Sequence, residues 1–133
     1  MSGRERSFGI IGAGCAGLSL AVEILERLPE ARVTIVEPRT EFPRDRTWCW
    51  WQVEPTRWDH LATHRWSAWR AHAPQRSVEH RTDRHPYLHL PSDRFHAAAI
   101  DLVQQSGRGR LVTGTRARGV DERSGGAWID TDA

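Results

Sequence analysis

Three glycines near the amino end, Gly12, Gly14 and Gly17, lie in the segment F-G-I-I-G-A-G-C-A-G-L-S-L-A. An apolar run precedes them and a helical pattern follows, which is the context in which a G-x-G-x-x-G pattern binds phosphate. The first glycine allows a tight turn, the second lets the backbone approach a pyrophosphate, and the third lets the helix pack close to the strand. The turn therefore predicts a dinucleotide site. Its predicted cofactor contacts are Gly12, Ala13, Gly14, Cys15 and Gly17.

An acidic residue stands where such a site needs one. Glu37 follows the next apolar run, 33–36, twenty residues after Gly17. A carboxylate at this position accepts hydrogen bonds from an adenosine ribose and would repel a ribose 2′-phosphate. The site is therefore predicted to take FAD or NAD and to exclude NADP.

These residues must be positioned by a strand, a helix and a second strand. Residues 8–11 form an apolar run long enough for a buried strand. Apolar residues then recur at helical spacing over 15–28, and Pro29 ends the helix. The β-branched run 33–36 predicts the second strand, so the fold class is α/β with a parallel pair.

The rest of the chain gives weaker patterns. Residues 39–85 hold six of the seven tryptophans among many polar residues, and they predict loops, short helical turns and some edge strands. Residues 87–90 predict a strand, and Ser92 is a candidate N-cap for a helix that runs to Gln105. Short apolar pieces at 111–112, 120 and 128–129 suggest a small antiparallel ladder, with Gly125-Gly126 as its hairpin turn.

The composition narrows the possible functions of this 133-residue chain, whose length predicts one domain. All 19 basic residues are arginines, but they are scattered and balanced by 17 acidic residues, so no nucleic-acid partner is predicted. Two cysteines are too few for a disulfide scaffold, and no C-x-x-C motif accompanies the seven histidines as a zinc partner set, so neither a disulfide scaffold nor a metal site is predicted. There is no membrane-spanning run and no signal peptide after Met1, so a cytoplasmic location is expected.

Cys15 has two interpretations. A thiol at a helix N-terminus can have a lowered pKa, which would make a redox-active cysteine. The alternative interpretation, which we favour, is that Cys15 is simply a small residue that fills the glycine turn.

The segment D-R-T-W-C-W-W, residues 45–51, places Trp48, Trp50 and Trp51 within four positions. One interpretation is a packed aromatic corner beneath a loop. The other is an apolar wall beside a cofactor or a hydrophobic substrate.

With these motifs, the chain resembles the lycopene cyclase family, flavoproteins that close the end rings of carotenoids. The resemblance rests on the glycine turn with Glu37, on the T-W-C-W-W segment, in which Trp50 stands where phenylalanine is commoner, and on Y-L-H-L-P-S-D-R-F at 87–95. It implies a Rossmann-like FAD/NAD(P)-binding domain of three layers, with a parallel sheet and an antiparallel meander. Within residues 1–133 we expect a βαβ unit at 8–37, a tryptophan-rich, substrate-side segment at 38–90, and a helix with strands at 91–133.

The implied reaction is an FAD-dependent cyclisation of a lycopene-type carotenoid without net redox change. Reduced flavin helps to protonate one end of the polyene, with NAD(P)H as a candidate reductant. The faces of Trp48, Trp50 and Trp51 would then stabilise positive charge by cation–π attraction. Arg94, and less so Arg46, are candidate cofactor contacts. A membrane-dissolved substrate also suggests peripheral association with the inner face of the cytoplasmic membrane.

Members of this family are about three times longer, and their acidic Phe-Leu-Glu-Glu-Thr-like motif does not occur in this sequence. The chain is therefore expected to be an N-terminal part of the FAD domain, incomplete at its carboxyl end and inactive alone, with its catalytic acid unknown. Two alternatives stay open. One is an FAD-dependent monooxygenase or halogenase of the same fold, and the other is a truncated, non-catalytic FAD-binding remnant.

Overall fold

The computed structural model describes residues 6–132. The chain divides into two compact units. The first unit combines the residues up to Phe42 with those from His96 onward, and the second unit is Pro43–Phe95.

Ten strands and two α-helices make up the described chain. The strands are β1 (Arg6–Ile11), β2 (Ala31–Val36), β3 (Thr47–Trp51), β4 (His64–Trp66), β5 (Ala68–Ala73), β6 (Arg76–Arg81), β7 (Tyr87–Pro91), β8 (Gly109–Val112), β9 (Ala117–Arg123) and β10 (Gly126–Thr131). The helices are α1 (Cys15–Arg27) and α2 (Ser92–Gln105), and a 3₁₀ turn spans Asp59–Leu61.

The first unit contains the strand–helix–strand arrangement predicted from the glycine turn. Strands β1 and β2 run parallel, with Ile10 opposite Ile35, and β8 continues the sheet in the order β1-β2-β8. The prediction for 111–112 was wrong in one respect, because Leu111 pairs in parallel with Ile35 and is not part of an antiparallel ladder. The physical reason is that β8 pairs with β2, and the long connection over residues 37–108 between these two strands gives the chain the length that a parallel return requires.

Burial in this sheet follows the alternation of side chains along a strand. Val33 and Ile35 are almost fully buried, whereas Thr34 between them is exposed. Helix α1 places a buried stripe of apolar residues against β1 and β2. That stripe consists of Leu18, Ala21, Val22 and Leu25.

Strands β9 and β10 form the predicted antiparallel hairpin. Its turn falls on Ser124 and Gly125, where Gly125 has φ of +99°, and Gly126 is already the first residue of β10. The hairpin packs on β1 at a glycine, since an added Cβ on Gly9 would lie 2.7 Å from Ile129 Cδ1.

The second unit has two small antiparallel sheets, one with strand order β3-β7-β4 and the other a β5–β6 hairpin. The tryptophan-rich region therefore contains more strand than predicted from the sequence, which suggested loops, short helical turns and some edge strands. Tryptophan and threonine favour strands, and the polar residues that suggested loops occupy solvent-facing positions of β5 and β6.

Candidate dinucleotide-binding site

The glycine turn has the geometry that its spacing predicts. Gly12 has φ of +96°, a conformation that favours glycine, and its N–H donates to Val36 O at 2.8 Å. An added Cβ on Gly17 would lie 2.0 Å from Gly12 O, so α1 contacts the turn too closely for any side chain there. A Cβ on Gly14 would meet nothing within 4 Å. The space beside Gly14 is therefore open for a ligand to approach the backbone.

Glu37 is buried at the end of β2, with only 4% of its surface exposed. Its backbone is held on both sides, because its N–H donates to Val112 O at 2.9 Å and its carbonyl accepts from Thr115 N at 3.1 Å. Its carboxylate reaches the glycine turn, where Oε2 accepts from the N–H of Ala13 at 2.7 Å. The structure thus joins the predicted acid directly to the predicted turn.

Arg39 completes the environment of this carboxylate. Its backbone N–H and its Nε donate to Glu37 Oε1 at 3.0 and 2.8 Å. Burial would raise the pKa of Glu37, but the hydrogen bonds from the Arg39 side chain and from the Ala13 and Arg39 backbone lower it to about 2. Glu37 is therefore an anion at any physiological pH.

Sequence reasoning missed two residues that shape the site. Arg39 follows the acid by two positions in the string E-P-R, so its short spacing from Glu37 could have identified it. Thr115 is 6% exposed and binds the Glu37 carbonyl from a distant loop, which no local pattern could have indicated.

The redox interpretation of Cys15 is not supported. Burial raises the pKa of the Cys15 thiol, and a hydrogen bond with Ser19 only partly offsets that effect. Cys15 therefore lacks the lowered pKa of a reactive thiol at pH 7. Its small side chain lies at the first residue of α1, beside the glycine turn.

The tryptophans of the T-W-C-W-W segment lie on strand β3, and the strand distributes them over its two faces. Trp48 and Trp50 pair across the sheet with Leu90 and Leu88, which are both buried. The ring of Trp48 also contacts Phe95 edge-on, at 5.2 Å between centroids. Trp48 and Trp50 are both half-buried and lie on the face of β3 that packs against these leucines and Phe95.

Trp51 lies on the opposite face and is 51% exposed. Its ring lies 4.7 Å from that of Tyr87 and 6.4 Å from that of Trp69. With His80 and His85, among others, Trp51 and Trp69 line a cleft of about 300 Å³. Of the three tryptophans singled out from the sequence, Trp51 is the most exposed, whereas Trp48 and Trp50 are half-buried.

The start of α2 also differs from its prediction. The helix already includes Ser92, whose hydroxyl donates to Pro43 O at 3.1 Å and accepts from Arg46 N at 3.2 Å. Ser92 therefore binds the segment 43–46 instead of acting as the flanking N-cap. Arg94 is exposed in the second unit, and the cofactor roles of Arg94 and Arg46 stay predictions.

Two kinds of feature are absent from residues 6–132. No group of three or more histidine, cysteine, aspartate or glutamate side chains is arranged to hold a metal ion. None of the helices in this range has the length and apolar character needed to cross a membrane.

Solved structures similar to this chain are flavoprotein-type oxygenases and reductases. The chain is 15% identical to 2-methyl-3-hydroxypyridine-5-carboxylic acid oxygenase, with a TM-score of 0.66 over 96% of its own length. It is 12% identical to PqsL, a probable FAD-dependent monooxygenase from Pseudomonas aeruginosa, with a TM-score of 0.70 over 97% of its length. It is also 15% identical to a geranylgeranyl bacteriochlorophyll reductase-like protein from Thermoplasma acidophilum, with a TM-score of 0.71 over 95% of its length.

The chain spans only 38%, 39% and 35% of these three structures, respectively. At such low identity the likeness shows the fold, which is the fold of FAD-dependent oxygenases and reductases.

No curated protein sequence matches the chain. A family described as "Lycopene cyclase protein" matches residues 8–127, which include the glycine turn, Glu37 and the tryptophan strand. The chain therefore belongs to the lycopene cyclase family.

Proposed function

We propose that the first unit binds the ADP half of FAD through the glycine turn and Glu37. The observation that carries this proposal is the hydrogen bond from Ala13 N to the buried Glu37 carboxylate, which joins the turn to an ionised acid. The open space at Gly14 and the N-terminal end of α1 suit a pyrophosphate, because the first N–H groups of a helix have no intrahelical acceptor. Adenosine ribose hydroxyls would be recognised by Glu37.

We further propose that the whole protein is a lycopene cyclase-like enzyme, with the three-layer arrangement expected from the sequence. Reduced FAD would supply the chemistry that starts protonation of one polyene end, and NAD(P)H is the proposed reductant. The family membership supports a carotenoid substrate. The residues of this chain would bind and orient the adenosine end of the cofactor, and the general acid stays unassigned.

On the substrate side, we propose Trp51 as the tryptophan that contacts the polyene. Trp51 is exposed, contacts the ring of Tyr87 and lines a cleft together with Trp69, whereas Trp48 and Trp50 pack against buried leucines. Aromatic faces suit a conjugated chain and can stabilise positive charge. A role for Arg94 at the cofactor is part of the same proposal.

The same exposed aromatic side chains support a proposal about location. A carotenoid is dissolved in a membrane, so the enzyme must reach a bilayer surface, and we place it at the inner face of the cytoplasmic membrane. Trp51, Trp66 and Trp69 are between 38% and 51% exposed, and tryptophan is favoured at membrane–water interfaces. Flotation of the chain with phospholipid vesicles tests this proposal, and a chain that stays at the bottom of the gradient contradicts it.

A second function is favoured by the structural likeness to FAD-dependent monooxygenases. Such an enzyme would oxidise its substrate with O₂ and NAD(P)H. The two functions differ in product mass, because cyclisation leaves the mass of lycopene unchanged and hydroxylation adds one oxygen atom.

Turnover by the full-length protein therefore tests the proposal. The protein is incubated with lycopene and reduced FAD, and the products are separated and weighed by mass spectrometry. We expect ring-containing products of unchanged mass. Products with an added oxygen would support the monooxygenase function instead, and flavin binding without turnover would support a non-catalytic binding module.

A further inference from the structure

The carboxylate of Glu37 is already fully hydrogen-bonded within the first unit. Oε2 accepts from Ala13 N at 2.7 Å and from Arg39 Nη2 at 3.4 Å. Oε1 accepts from the backbone N and from Nε of Arg39 at 3.0 and 2.8 Å. An ionised carboxylate has about four acceptor positions. These four donors therefore use the capacity that a ribose diol would need.

Two of the four donors are backbone groups that cannot easily leave. Ala13 lies in the turn whose Gly12 N–H is bound to Val36 O, and the backbone N–H of Arg39 is only two residues from Glu37, beyond Pro38. The guanidinium of Arg39 is different, because it sits at the end of a flexible side chain that is 30% exposed. It is the one donor group on Glu37 that can exchange for a ligand without moving the backbone.

The surroundings of Arg39 offer the guanidinium a second partner. Its Cζ lies 4.9 Å from the centroid of the Phe42 ring, within cation–π distance. Phe42 is held in turn by the buried ring of His96, 4.8 Å away. Arg39 can therefore release Glu37 and keep a favourable contact with Phe42.

We propose that Arg39 sets the affinity of this site for the adenosine ribose, because its guanidinium occupies the acceptor positions on Glu37 that the ribose diol uses. The guanidinium turns away from Glu37 when the nucleotide binds. This inference rests on the proposed dinucleotide site. It makes Arg39 a positioning residue, which acts on the ligand through Glu37.

The test compares ADP with 2′,3′-dideoxy-ADP, which lacks both ribose hydroxyls. Dissociation constants for both nucleotides are measured by calorimetry with the wild-type chain and with Arg39→Met. For each protein, the constant for 2′,3′-dideoxy-ADP divided by the constant for ADP gives the contribution of the diol. We expect this ratio to rise by about two- to tenfold in Arg39→Met, because the diol then displaces water and not a guanidinium. Circular dichroism checks that the variant is folded.

Arg27→Met is the matched control, since Arg27 also pairs with a glutamate, Glu23, at 2.7 Å but on the exposed face of α1. Its ratio should equal that of the wild type. If Arg39→Met does not fold, Arg39→Lys keeps the charge, loses the planar fork, and should raise the ratio by a smaller factor.

Each outcome decides a different claim. An unchanged or lowered ratio in the Arg39 variants, with ADP still bound, contradicts the role of Arg39 and leaves the dinucleotide site intact. A structural role alone would change both dissociation constants by the same factor. Failure of the wild-type chain to bind ADP contradicts the proposed site, and the inference about Arg39 falls with it.

Discussion

The carboxylate of Glu37 accepts a hydrogen bond from the backbone N–H of Ala13 at 2.7 Å, across 24 residues of sequence. Together with the bond from Gly12 N–H to Val36 O, this bond fixes the glycine turn relative to the end of β2. Because this buried acid is ionised, we expect both the stability of the chain and the proposed nucleotide binding to depend on Glu37.

Glu37 should make the stability of the chain depend on pH in the acid range. Its folded-state pKa is lowered from 4.5 to about 2, so its contribution is fully present above about pH 5 and is lost as the pH falls from about 4.5 to 2. The loss is on the order of 3 kcal/mol. Urea unfolding between pH 7 and pH 2 measures it. In Glu37→Gln the stability at pH 7 should fall and this part of the pH dependence should vanish; an identical pH profile would refute the assignment.

Gly17 and Gly14 should respond differently to replacement by alanine. Gly17→Ala places a methyl group 2.0 Å from Gly12 O and should destabilise the chain by about 1–3 kcal/mol or more. Gly14→Ala meets no atom within 4 Å and should leave the free energy of unfolding nearly unchanged, while weakening ADP binding. Equal stabilities of the two variants in urea unfolding would contradict the close packing of α1 on the turn.

Arg108 should be important for stability because its guanidinium closes the end of α1. Its Nη1 donates to Leu28 O and Ala31 O, each at 2.9 Å, and its Nη2 donates to Leu25 O. Arg108→Ala leaves these carbonyls without that donor and should cost about 1–3 kcal/mol. Arg110→Ala, an exposed neighbour on β8, is the control and should stay within about 0.5 kcal/mol of the wild type in the same thermal unfolding experiment.

The two faces of β3 should separate stability from substrate binding. Trp48→Leu removes an aromatic contact with the buried Phe95 and should destabilise the chain by about 1–3 kcal/mol. Trp51→Leu removes a half-exposed ring, so the unfolding free energy should change little while turnover of the full-length enzyme on lycopene falls. Unchanged turnover in Trp51→Leu would remove Trp51 from the substrate side.

The strand–glycine turn–helix–strand unit could be predicted from the sequence because local patterns encode it. The positive φ of Gly12 and the close approach at Gly17 both follow from one spacing rule. Contacts between distant segments could not be predicted in this way. The parallel pairing of Leu111 and the bond from Thr115 to Glu37 depend on tertiary packing that no local pattern contains.

The tryptophan segment shows how secondary structure changes the meaning of a motif. The three tryptophans in four positions were interpreted together, either as a packed aromatic corner or as an apolar wall. Alternation along β3 instead directs Trp48 and Trp50 to one face and Trp51 to the other. Its strand character was hidden because the polar residues around it resemble those of loops.

The most direct test of the nucleotide site is a titration of the chain with FAD, in which binding is monitored by the quenching of flavin fluorescence. Competition with ADP is then measured in the same way. We predict that FAD binding is saturable, that ADP displaces FAD, and that 2′-phospho-ADP displaces it far less well. We also predict that Glu37→Gln weakens FAD binding at least about tenfold while the variant remains folded at neutral pH. Equal competition by the two nucleotides, or unchanged affinity in Glu37→Gln, would contradict the assignment of Glu37 as the ribose-binding acid.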